Sequence, residues 1–67
     1  MIFVIEDKNG AKLVVEKESD NHRQDLYTIK MACDDEKRRN GGICLINLAV
    51  SLERNGFKKH AAMGVYI

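Results

Sequence analysis

The dipeptide Asn9-Gly10 stands between two apolar runs, residues 2–5 and 13–15. Both residues tolerate the positive φ of a tight turn, so the pattern predicts a β-hairpin over residues 2–17. With Asn9 and Gly10 as the two turn residues, Lys8 faces Ala11, Asp7 faces Lys12 and Ile5 faces Val14. One face then carries Phe3, Ile5 and Val14. The other carries Ile2, Val4, Leu13 and Val15. Both faces are apolar at mid-strand, so both require cover.

A two-stranded hairpin is marginal alone, and the rest of the chain must supply that cover. Residues 16–25 contain no apolar side chain and read as a solvated connection. In residues 26–33, Tyr27, Ile29, Met31 and Cys33 alternate with Leu26, Thr28, Lys30 and Ala32, the period of a third strand. A helix is expected over 42–55. Asn40 is placed to cap it, and Leu45, Leu48, Ala49 and Leu52 form a stripe at helical spacing. Asn47, Ser51 and Arg54 define its polar face. Asn55-Gly56-Phe57 reads as a glycine-terminated helix end that brings Phe57 toward Leu52. Residues 58–60 then lead into a last strand over 61–67.

The expected fold is α+β. It is a small β-β-β-α-β domain with a mainly antiparallel four-stranded sheet and one helix packed on one face. One helix covers one face of a sheet, so a partner is expected on part of the other, a second copy included, which makes a homodimer an expectation.

Sixty-seven residues form a single domain, 1–67, that buries only roughly 60% of its unfolded surface. An apolar content of 45% argues for a folded chain. The two cysteines, Cys33 and Cys44, lie within apolar patterns, and Met1 runs directly into strand-like sequence. A reducing cytoplasmic location without a disulfide is therefore expected. The longest apolar run, residues 43–50, is broken by Asn47 and too short to span a membrane.

Charge is sharply divided. Residues 1–36 carry nine acids and five bases, whereas 37–67 carry one acid, Glu53, and six bases. Such asymmetry speaks about partners rather than fold. At the boundary, Arg38-Arg39-Asn40-Gly41-Gly42 leads into the expected helix. Free N–H groups, the helix dipole and two guanidiniums there suit a phosphate or carboxylate. Further bases, Arg54, Lys58 and Lys59, follow the helix, and His22 and Arg23 stand in the polar loop. These ten residues form the expected partner- or anion-binding set. Asp34-Asp35-Glu36 is a weak candidate for a hard cation. His22, Cys33, Cys44 and His60 match no paired-ligand zinc spacing. Neither a metal nor a cofactor is expected, and no catalytic constellation is visible.

The loop is also similar to the acetyl-CoA loop of the GNAT-type N-acetyltransferases. That family's pattern is Arg or Gln, two residues, Gly, one residue, then Gly or Ala, between a strand and a helix. Arg39 and Gly42 take the first two of those positions, and Cys44 stands where the family has Gly or Ala. The resemblance covers about half the chain and implies a reduced acetyl-CoA-binding domain.

The leading expectation is a non-enzymatic binding protein acting on a protein partner with an acidic surface. Small inhibitors and regulators, antitoxin-like and phage-encoded ones among them, share this profile. A nucleic-acid-binding regulator is the main alternative, weakened by the near-neutral total and by only four aromatics.

Overall fold

A computed structural model describes residues 1–18 and 20–63. The elements run β1 (Ile2–Glu6), β2 (Lys12–Glu16), α1 (His22–Asn40), α2 (Leu45–Arg54) and β3 (Lys58–Met63). The three strands form an antiparallel sheet in the order β1-β2-β3. The fold is α+β, as the sequence implies, but it has three strands and two helices rather than four strands and one helix.

The hairpin forms one residue out of the expected register. Ile5 faces Leu13 and Glu6 faces Lys12. Asp7 causes the slip. Its Oδ1 accepts from the backbone N–H groups of Asn9 at 2.8 Å and Ala11 at 2.9 Å, and its carbonyl accepts from Gly10 at 3.1 Å. The turn therefore takes three residues, with Gly10 alone at positive φ, +83°. A one-residue slip exchanges the faces of one strand against the other. Phe3, Ile5, Leu13 and Val15 now share one buried face, while Ile2 and Val4 lie outside. The expected hairpin with both faces apolar at mid-strand gives way to one core face and a more exposed outer one.

The expected third strand over 26–33 is instead the middle of α1, and the expected solvated connection 16–25 already contains the start of that helix. Asn21 caps it, its Oδ1 accepting from the Gln24 N–H at 3.0 Å. The buried positions Asp25, Ile29 and Glu36, with Ala32 and Cys33 partly buried, recur at helical spacing. Side-chain pairs three and four residues apart run along the helix: Lys30–Asp34, Asp35–Arg38, Asp35–Arg39 and Glu36–Asn40. Lys37, Arg38 and Arg39 occupy the last turn, where cations complement the dipole.

The expected helix over 42–55 is shorter, and Asn40 does not cap it. Asn40 is the last residue of α1, and Gly41, in the left-handed conformation, closes that helix with its N–H on the Lys37 carbonyl at 2.9 Å. Cys44 precedes α2 without a side-chain cap. The far end of α2 forms as the sequence implies. Phe57 N–H reaches the Leu52 carbonyl at 3.0 Å and Gly56 N–H the Glu53 carbonyl at 3.1 Å, a Schellman closure around Gly56 at φ +88°. The last strand starts earlier than expected, at Lys58, and residues 64–67 of that expectation lie outside the described residues.

The core joins the sheet's inner face to both helices: Phe3, Ile5, Leu13, Val15, Ile29, Leu48, Ala49, Leu52 and Phe57. The stripe on α2 faces the core as its spacing implies, with Leu48, Ala49 and Leu52 buried and Leu45 partly so. No helix among the described residues is long and apolar enough to cross a membrane.

The two glycines after α1 are not equivalent. Gly41→Ala should destabilise the domain by about 1–2 kcal/mol, because its φ of +71° disfavours a Cβ. Gly42→Ala meets open space at an ordinary φ and should stay within about 0.5 kcal/mol. Urea unfolding of the two variants checks this, and the reverse order of cost would contradict the closure assigned to Gly41.

A candidate partner-binding groove between the two helices

Helices α1 and α2 pack side by side, and a groove runs between them. Two adjoining depressions, about 340 and 260 Å³, share Ala32, Asp35 and Ser51 as lining. On α1 the lining falls at Gln24, Thr28, Met31, Asp35 and Arg38, successive turns of one helix face. Tyr27 stands beside them. On α2, Asn47, Val50, Ser51 and Arg54 repeat the same spacing. Helical periodicity alone therefore assembles the two walls.

The groove gathers three of the expected basic residues. Arg38 and Arg54 occupy different helices, and Arg39 joins Arg54 in the second depression. Asp35 lies between the two guanidiniums of α1. Its Oδ1 pairs with Arg38 at 2.5 Å and its Oδ2 with Arg39 at 3.0 Å. The hydrogen bond from Arg38, with Arg39 adding attraction, holds the Asp35 carboxyl below the usual carboxylate range. The arginines stay largely exposed, 76% and 68%. Glu36, almost fully buried, accepts from Asn40 Nδ2 at 2.7 Å and lines the same groove. Three guanidiniums against two carboxylates leave the groove with one net positive charge. Its walls are also apolar in part: Tyr27, Met31 and Val50 line it and are exposed.

The structure splits the rest of the expected set. Gly41 and Gly42 line a separate cleft of about 320 Å³ with Glu6, Asp7, Lys8 and Lys37. They follow a helix rather than opening one, so the expected anion corner of arginines and glycines at one helix start is not formed. The acetyltransferase resemblance also loses the strand it requires before that loop, since α1 stands there.

The acids at 34–36 diverge. Asp34 takes Lys30 at 2.8 Å, Asp35 takes the arginines and Glu36 takes Asn40. The Lys30 ammonium lowers the Asp34 pKa and is itself raised by that carboxylate. Among the described residues no group of three or more His, Cys, Asp or Glu is placed to hold a metal. Lys58 and Lys59 are exposed on β3, away from the groove, facing Glu16 and Val15 across the sheet. Beside them His60 Nε2 meets Glu16 Oε1 at 2.8 Å, and that hydrogen bond lowers the Glu16 pKa.

His22 and Arg23 open α1. Arg23 is exposed, whereas the His22 ring stacks on Phe3, centroids 5.4 Å apart. The same end of the molecule holds Asp25, only 2% exposed. Lys17 Nζ lies 3.4 Å from its Oδ1 and 5.0 Å above the Phe57 ring, while Oδ2 has no hydrogen-bond partner. His22 and Lys17 thus join the start of α1 to the sheet and the core. Lys17→Met should destabilise the domain by about 1–3 kcal/mol, because it strands a buried carboxylate. Adding Asp25→Leu should recover part of that loss, since the unpaired charge is gone. Urea unfolding of the single and double variants measures both effects. A double variant weaker than the wild-type chain by the full sum of the two single losses would contradict the pairing.

Tyr27, Met31, Asp35 and Ser51 were not expected at the site. The capping sequence Asn21-His22-Arg23-Gln24 and the oppositely charged pairs four apart in 30–40 were the available signals. Comparison with protein-family models, curated proteins and solved structures gave no match.

Proposed function

We propose that this chain is a small non-enzymatic binding protein, an inhibitor or regulator of a larger complex, whose working surface is the α1–α2 groove. The observation that carries the reading is the convergence of Arg38, Arg39 and Arg54 from two helices onto one groove with exposed apolar walls. That combination suits an acidic amphipathic helix of a protein partner. Its apolar side would sit between Tyr27, Met31 and Val50, and its carboxylates would meet the guanidiniums. A third helix laid in the groove would complete a three-helix layer over the sheet.

The side chains gathered there favour recognition over catalysis. Asp35 is committed to two arginines and Glu36 to Asn40. The nearby Cys33 thiol is pushed up by burial, which keeps it protonated and weakly nucleophilic. In the same reading the setting is reducing and cytoplasmic, with Cys33 and Cys44 kept as thiols.

A photo-crosslinking residue at Met31 should capture the partner in the source cell, and one at Lys12, on the outer face of the sheet, should not. Capture from Lys12 alone would place the working surface on the hairpin.

One observation favours a second reading. Tyr27 is exposed in the same depression as Arg38, a pairing that suits stacking of a single-stranded base beside a phosphate. Salt-sensitive binding of a labelled oligonucleotide, abolished by Tyr27→Ala, would favour it over the protein partner.

A further inference from the structure

The two edges of the sheet differ in how they are finished. On β3 the register shifts at a bulge between Val14 and Val15 of its neighbour, and Lys58 and Lys59 stand on the strand. A bulge and edge lysines are the usual guards against pairing with another strand. On β1 there is no bulge, lysine or proline: its five residues are Ile-Phe-Val-Ile-Glu, paired without interruption to β2.

The phase of β1 follows from its ends. Lys17 N–H donates to the Met1 carbonyl at 3.0 Å, and Asp7 N–H donates to the Ala11 carbonyl at 2.9 Å. Hydrogen-bonded pairs alternate along an antiparallel ladder, so the odd residues 1, 3, 5 and 7 spend their backbone groups on β2. The N–H and C=O groups of Ile2, Val4 and Glu6 therefore point outward from the edge. Among the described residues β1 has β2 as its one neighbour in the sheet. The Ile2, Val4 and Glu6 side chains share the outer face, where Ile2 and Val4 are each 59% exposed.

We propose that β1 pairs antiparallel with β1 of a second copy across a two-fold axis at Val4, joining two sheets into one of six strands. The strand is self-complementary in this register. Val4 faces the partner's Val4, Ile2 faces the partner's Glu6, and the outward groups of all three meet outward groups. Roughly six inter-chain N–H···O=C bonds result, two for each facing pair. Glu6 stays clear of the partner's Glu6 and keeps Lys12 as its cross-strand neighbour. On the outer face Val14, Val4 and the partner's two valines form one apolar row across four adjacent strands, which shields side chains that the helices leave open. This symmetry selects a second copy over an unrelated strand, because the same five residues satisfy both sides. The interface lies apart from the α1–α2 groove, so each dimer would present two grooves.

Backbone hydrogen exchange by NMR on the intact chain, from micromolar to millimolar concentration, tests the pairing beside light scattering. As dimer forms, exchange at the Val4 and Glu6 amides should slow by roughly tenfold or more, while Phe3 and Ile5 change little. Val4→Lys should leave the circular dichroism unchanged and give a monomer throughout. A wild-type chain that stays monomeric at millimolar concentration overturns the proposal. So does a dimer whose Val4 amide exchanges as freely as in dilute solution, or one that Val4→Lys leaves intact.

Discussion

Leu48→Ala and Leu52→Ala should each destabilise the domain by about 2–5 kcal/mol. Both side chains are fully buried, and both lie on α2 against the inner face of the sheet. Removing three heavy atoms from either site costs the transfer energy and leaves a cavity among Phe3, Leu13, Val15 and Phe57 that a closely packed interior fills only in part. A domain of this size has a total stability of about 3–10 kcal/mol. Either change therefore removes a large share, and the double variant should be unfolded at room temperature. Leu45→Ala, at a position only partly buried, should cost distinctly less. Thermal and urea unfolding give the three values. A midpoint that neither Leu48→Ala nor Leu52→Ala moves would mean that α2 turns a different face to the sheet.

Replacing Arg38, Arg39 and Arg54 together by glutamate should weaken partner binding by about two orders of magnitude or more, with folding retained. The three guanidiniums lie on the groove rim, outside the core. Exposed ion pairs add little to folding, and acids in place of the cations in the last turn of α1 cost about 0.3–1 kcal/mol each through the dipole, less than the stability of the domain. At a binding surface the same reversal turns three attractions for an acidic partner into three repulsions. Binding by the wild-type chain should also weaken as salt rises, since screening acts over about 10 Å at 0.1 M. Asp35→Ala is the informative companion: it frees Arg38 and Arg39 from their internal partner and should tighten binding. Titration calorimetry against the captured partner reads all three chains. Unchanged affinity in the triple variant would remove the groove from the interface.

The sequence carried the parts of this fold that announce themselves by local chemistry. Asn9-Gly10 marked the hairpin, and only the Asp7 side chain, by drawing two amides to itself, moved the register by one. The stripe Leu45, Leu48, Ala49 and Leu52 and the closure at Gly56 marked α2. Helix α1 was hidden because two of its three most buried positions are acids, Asp25 and Glu36, so its inward face does not read as apolar. The exposed Tyr27 and Met31, together with Ile29 and Cys33, imitate a period of two. A strand over 26–33 makes Gly41 and Gly42 read as the start of a helix instead of the end of one. Arg38, Arg39 and Arg54 survive as members of one site for a reason the linear order conceals: an α-helical hairpin folds the two ends of the basic segment back on each other.

The most direct test of the groove as the working surface compares two charge reversals in one affinity capture from the source cell, read by quantitative mass spectrometry. One bait carries Arg38→Glu, Arg39→Glu and Arg54→Glu, and the other carries Lys8→Glu and Lys12→Glu on the hairpin. A partner that the wild-type and hairpin baits retain equally, and the arginine bait loses, is the predicted result. Retention by the arginine bait with loss from the hairpin bait would contradict it.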